Sequence, residues 1–230
     1  MIKRAYLAAF TLSAGAAVAA LAVPAAAQQR DWTRTVVATP EGGFRIGNPA
    51  AKVKLIEYAS LTCPHCARFD AEATAPISAM VKTGRVSFEY RTFVLNGIDV
   101  TATLLARCGG PSKFFPIAHR MFATQKEWTG KISGMPQAQK DQLKGLATGQ
   151  MLARMADYGG LTQIAAQGGV TPAQGKACLA DAAALARLDT ISQGAASLGI
   201  NSTPSFLING ALVHAHSWGE LQPLIKRAGG

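Results

Sequence analysis

The stretch EYASLTCPHCARF, residues 57–69, sets Cys63 and Cys66 two residues apart where an apolar run gives way to helical spacing. Upstream, AKVKLIEYAS alternates Val53 and Leu55 with Lys52 and Lys54 and then runs apolar, which predicts a strand that becomes buried towards its end. Downstream, Phe69, Ala73, Ile77, Met80 and Val81 recur at helical spacing and Gly84 supplies a stop. Pro76 falls inside that pattern and predicts a kink rather than an end. RVSFEYRTFVL then alternates Val86, Phe88 and Tyr90 as a second strand. The first strand therefore ends at the cysteines, and the helix begins on them.

A strand–helix–strand unit needs a crossover and hence a parallel strand pair. From about Thr101 to Leu198, Ala-rich segments broken by GGPSK, SGMPQ, YGG and QGGVTP predict a block of several short helices. PSFLINGALVHA places Asn209 and Gly210 between two apolar runs, the sequence signal of a β-hairpin. SWGE follows, with Ser217 and Glu220 spaced for a capping box on a last helix that carries Leu221, Leu224 and Ile225. The order predicts a mixed α/β sheet interrupted by a helical insertion.

The chain has 230 residues, enough for one domain with an insertion or for two small ones. Lys3 and Arg4 precede a long Ala-rich apolar stretch, and VPAAAQQ ends it with Ala25 and Ala27 at small-residue cleavage positions. Residues 1–27 read as a secretory signal, with an uncleaved anchor as the alternative. Its removal would take two cations and no acid from the formal charge of +10. The remaining Lys and Arg are scattered and no run interleaves them with aromatics, so a basic solvated surface is expected and not a nucleic-acid interface. All four cysteines, Cys63, Cys66, Cys108 and Cys178, lie beyond residue 27, in the part that would meet an oxidising compartment.

At a helix N-terminus, unpaired backbone N–H groups point at the first sulfur and favour its thiolate. Cys63 is thereby the expected nucleophile. Pro64 suits the first helical turn, and His65 adds a donor or a positive charge. Stabilising the reduced thiolate makes the corresponding disulfide a stronger oxidant. The competing readings of the motif are weaker. A zinc site lacks a second Cys or His pair at finger spacing, and haem attachment needs a histidine where Ala67 stands. A purely structural bond across so short a loop contributes little chain-entropy stabilisation.

LIEYASLTCPHC together with STPSFLING resembles the thioredoxin superfamily, and within it the DsbA family of secreted disulfide oxidoreductases. The resemblance runs from about Gly47 to the end. It implies a thioredoxin fold with a helical insertion, divided as signal 1–27, thioredoxin domain 28–100, helical insertion 101–198 and the rest of the thioredoxin domain 199–230. It also implies Cys63 as nucleophile, Cys66 as resolving thiol, and a cis Thr203–Pro204 bond packed against them as part of the substrate site. Glu57, six residues before Cys63, matches a buried acid that exchanges a proton with Cys66; the alternative is a carboxylate turned to solvent.

The same resemblance implies a periplasmic, monomeric oxidase with no cofactor. Its partners would be reduced unfolded proteins and a quinone-linked membrane reoxidant of the DsbB type. A second disulfide between Cys108 and Cys178 occurs in some relatives, against two buried thiols as the alternative. Thr203 departs from the best-known DsbA members, which carry an aliphatic residue there, and matches the isomerase branch instead. That branch carries a separate dimerisation domain, for which residues 28–52 are too few. An isomerase or reductase of the same fold is thus the nearest alternative, and a thiol metallochaperone holding copper or zinc through Cys63 and Cys66 the one from another class.

His214 and His216 share a face at strand spacing but lack a third ligand, so no metal site is assigned. His119 has no partner visible in the sequence. Phe114, Phe115, Phe122 and Trp128 are expected to pack in the core, with a part in an apolar substrate groove as the second reading.

Overall fold

The computed structural model describes residues 1–2 and 30–230. The signal segment expected over 1–27 rests on residues 3–27, which lie outside the described residues. A 3-10 turn at Trp32–Arg34 leads into strands β1 (Val36–Ala38), β2 (Phe44–Gly47) and β3 (Val53–Ala59), then helix α1 (Pro64–Lys82) and β4 (Val86–Thr92). Helices follow from Gly97 to Ser197: α2 (Gly97–Cys108), α3 (Pro111–Ala123), α4 (Gln125–Ser133), α5 (Gln137–Asp141), α6 (Thr148–Gly159), α7 (Leu161–Gln167), α8 (Pro172–Leu179) and α9 (Ala182–Ser197). Strands β5 (Ser205–Ile208) and β6 (Ala211–Val213) and helix α10 (Trp218–Arg227) complete the described chain.

The sheet order is β1-β2-β4-β3-β5-β6. Among the described residues only β3 and β4 run parallel, as the α1 crossover demands, with Glu57 opposite Tyr90. β5 pairs antiparallel with the other side of β3 and sets Phe206 opposite Glu57. β3 is consequently flanked on both sides, and its alternate residues serve two cores. Val53 and Leu55 belong to the larger cluster, with Phe69, Ile77 and Val81 of α1. Tyr58 belongs to a smaller one, packed with Ala195 of α9, Ile200 and Leu207.

Helix α1 buries Cys66, Phe69, Ala73, Ile77 and Val81, the one-sided stripe its spacing predicts. The helix continues through Pro76. The missing N–H leaves the Glu72 carbonyl without its helical partner on an exposed stretch, where water can serve it. The hairpin forms as expected, with Asn209 and Gly210 both at positive φ, 53° and 86°. Asn209 also ties the turn to β3, its side chain accepting from Lys54 N at 2.8 Å.

Only half of the expected capping box forms. Ser217 accepts from Glu220 N at 3.4 Å, but the Glu220 carboxylate accepts from His216 N at 2.6 Å rather than from Ser217. Strands β1 and β2 carry no signal in the sequence. They are three and four residues long, too short for a period of two to declare itself.

The helical block shares the larger core with the sheet. Phe114 of α3 stacks on Phe44 of β2 with ring centroids 4.4 Å apart, and Tyr90 of β4 meets it edge-on at 5.0 Å. Phe115, Phe122 and Trp128 are buried as well, and Trp128 Nε1 donates to Met121 O at 2.8 Å. The aromatic-rich part of the insertion is therefore core.

Cys108 at the end of α2 and Cys178 in α8 form a disulfide, with Cα atoms 5.8 Å apart. The bond spans 70 residues of sequence, for which loop-closure entropy gives about 4 kcal/mol of stabilisation. Replacing Cys108 and Cys178 together by serine is expected to lower the unfolding free energy by about that amount in equilibrium urea titrations. An unchanged midpoint would show that the bond constrains nothing in the unfolded chain.

Candidate active site

Cys63 is the N-cap residue of α1, with extended backbone angles, and Pro64 occupies the first helical position. Its sulfur accepts from Cys66 N at 3.4 Å, in the place where a serine or aspartate oxygen ordinarily caps a helix. As a thiol it donates to the Thr203 carbonyl at 3.3 Å. The Cys66 thiol, the Thr203 side chain and the N–H groups of Cys66 and His65 hydrogen-bond this sulfur and, against burial, hold its pKa down from 9.0 to about 5. At pH 7, where an ordinary thiol is still protonated, a thiol lowered that far favours the reduced state by roughly 3 kcal/mol. In a two-electron couple that corresponds to about 60 mV towards a more oxidising disulfide.

Cys66 is driven the other way. It is fully buried one turn into α1, and burial, its hydrogen bond with Cys63 and the nearby Glu57 carboxyl all push its thiol far above the ordinary range. Both thiols are free in this structure. Glu57, on β3 beneath them, is buried at 4 % exposure, so it does not turn to solvent. Burial first, then the charges of Asp70 and Cys63, raise its carboxyl well above the usual carboxylate range, and its Oε1 has no hydrogen-bond partner among the described residues. One thiol is therefore poised as a thiolate, and the other holds its proton beside an acid that holds its own.

The Thr203–Pro204 bond is cis, and Pro204 is buried at the head of β5. The His65 ring is exposed and accepts from Arg68 at 2.8 Å, so what His65 gives the Cys63 sulfur is its backbone N–H. His214 and His216 are both exposed after β6. Among the described residues, no three His, Cys, Asp or Glu side chains are grouped to hold a metal ion.

Three further residues, Gln125, Asp99 and His119, contact the site or the helix that carries it. Gln125 of α4 is buried and donates through Nε2 to the carbonyls of Leu61 and Cys63, at 2.8 and 2.9 Å. Asp99 of α2 accepts from Leu61 N and Leu95 N, both at 3.0 Å. The loop that presents Cys63 is thus held from both sides by the helical block. His119 of α3 meets Asp70 of α1 at 2.5 Å. Of the three, only Asp99 had a legible hint, since Asn96 three residues earlier is an N-cap residue accepting from Asp99 N at 2.9 Å. Gln125 and His119 reach their partners only through tertiary packing.

Residues 39–227 match the family model described as Thioredoxin. A protein of Rickettsia bellii, provisionally named a protein-disulfide oxidoreductase, is 27% identical over 194 residues, 82% of this chain and 65% of that one. A protein of Rickettsia conorii with a similar name is 25% identical over 189 residues, 80% of this chain and 59% of that one. The chain thus spans less than two thirds of the length of these curated relatives. Among solved structures, a protein-disulfide isomerase from Novosphingobium aromaticivorans superposes with a TM-score of 0.74 at 30% identity, covering 82% of this chain and 98% of that one. Alpha-DsbA1 of Wolbachia pipientis shares the fold at a TM-score of 0.66 and 21% identity, covering 84% and 92%. Matched by the family model over most of its length, the chain belongs to the thioredoxin family, and it shares its fold with both of these solved structures.

Proposed function

We propose that this protein is a thiol:disulfide oxidoreductase that works in the periplasm and passes a Cys63–Cys66 disulfide to reduced exported proteins. The observation that carries the reading is the opposite tuning of two thiols one helical turn apart, Cys63 down to about 5 and Cys66 far up. A substrate thiolate attacks the Cys63 sulfur of the disulfide. A bond forms between substrate and Cys63, the Cys63–Cys66 bond breaks, and the electron pair leaves on Cys66. Cys66, which disfavours charge, takes a proton from Glu57. A second substrate thiolate then attacks the substrate sulfur of the mixed disulfide, and Cys63 leaves as its stable thiolate. The substrate is oxidised by two electrons and the enzyme reduced by two.

Return to the disulfide needs an oxidant. A quinone-linked membrane protein of the DsbB type fits that part, on the family resemblance. The named kinship of the Novosphingobium protein, a protein-disulfide isomerase, and the Thr203 side chain favour a second reading in which the same site rearranges or reduces disulfides.

Cys63→Ser is expected to abolish oxidation of a reduced model protein, whereas Cys66→Ser accumulates mixed disulfides visible on non-reducing gels; oxidation surviving in Cys63→Ser would refute the assignment. The reduction potential, equilibrated against glutathione and read by alkylation, tests both direction and tuning. With Cys63 ionised above pH about 5 and Cys66 protonated, one proton accompanies two electrons. The potential should then fall by about 30 mV per pH unit above that point and by about 59 mV below it. A slope of about 59 mV throughout would mean that Cys63 stays protonated. A value nearer the about −120 mV of strong disulfide donors than the about −270 mV of thioredoxin supports donation, and the reverse supports the second reading.

A further inference from the structure

Glu57 leaves one question open. If it gives its proton to Cys66, it becomes a buried carboxylate that must recover a proton. Cys66 is fully buried and Glu57 nearly so, so neither meets solvent directly. Between α1 and α3, floored by the sheet, lies a cavity of about 110 Å³ lined by Glu57, Asp70 and His119 and walled by Phe69, Ile77 and Phe115. That volume holds several water molecules, each of which needs polar partners. The unpartnered Glu57 Oε1 offers one at the inner end. At the outer end stand Asp70, with a side chain 19 % exposed, and His119, 36 % exposed, paired at 2.5 Å.

We infer that the Asp70–His119 pair and the cavity behind it form the route by which Glu57 exchanges its proton with solvent, with His119 as the shuttle. The inference rests on the oxidoreductase reading above and adds a residue of the helical block to it. In donation, Cys66–S⁻ takes the Glu57 proton, protonated His119 passes its proton through cavity water to the Glu57 carboxylate, and neutral His119 is reprotonated by solvent. In reoxidation each transfer runs backwards.

The geometry is specific to that task. Imidazole is the side chain that changes charge near neutral pH, and its exposed edge reaches solvent while its Nδ1 is held by Asp70. The ionisable groups around Glu57 are Asp70 from α1, Tyr90 from β4, and Cys63 and Cys66. Tyr90 is occupied, its hydroxyl donating to the Ala59 carbonyl at 3.2 Å. On α3 the neighbouring Arg120 is engaged with Gln167 at 3.1 Å. Asp70 is further steadied by Thr74, whose hydroxyl lies 3.3 Å from its carboxylate. His119 is therefore the imidazole at the mouth of the cavity among the described residues that line it.

The test is single-turnover oxidation of a reduced dithiol peptide by the full chain in its disulfide form, in weak buffer across neutral pH. His119→Ala should slow the step at least about tenfold and shift its pH profile, and added imidazole should restore the rate while leaving the unsubstituted chain unaffected. His119→Gln, which keeps size and a hydrogen-bond donor but does not titrate, should show the same defect. Glu57→Gln should be slow and deaf to imidazole. An unchanged rate in His119→Ala, a defect that imidazole does not relieve, or full activity in His119→Gln overturns the shuttle alone. A chain that exchanges no disulfide with or without His119 overturns the oxidoreductase reading and the shuttle with it.

Discussion

Everything about this molecule turns on a sulfur doing the work of a capping oxygen. A helix that starts with a cysteine leaves its first N–H groups aimed at a large polarisable atom that water reaches poorly, and those groups are satisfied best when that atom is charged. The rest of the fold serves to keep it there. β3 delivers the chain to the helix start from the centre of the sheet, and β5 brings the Thr203–Pro204 backbone against the sulfur from the other side.

Two lobes therefore answer to one atom. Asp99 takes an N–H of the presenting loop, and Gln125 fills two of its carbonyls, both from helices that follow the sheet's crossover unit in sequence. A buried amide or carboxylate that satisfies such groups contributes about 1–3 kcal/mol compared with leaving them unmet. The continuous aromatic packing from Phe44 through Phe114 to Tyr90 makes the helical block a wall of the same core. An insertion held in this way acts as part of the scaffold of the site.

The elements with long or chemically loaded patterns were legible from the chain alone. CPHC between a strand run and a helical stripe, the Asn209–Gly210 turn and the Ala-rich block each carry a local cause, and local causes survive folding. What escaped was set by contact at a distance. β1 and β2 are too short to show a period, Gln125 is an ordinary polar residue until α4 lies over the loop, and His119 and Asp70 are separated by 49 positions. The sequence puts His65 beside the sulfur but carries no direction for its side chain, and the ring turns out to Arg68.

Glu57 without a partner has one more consequence. A carboxylate there and a thiolate on Cys63 repel each other inside a poorly solvated volume, as does either of them with a charge on Cys66. The pocket behaves as a container with room for one unit of negative charge. A second negative charge brought into it has to be neutralised by a proton or displace the first, so the site couples any gain of charge to a compensating loss.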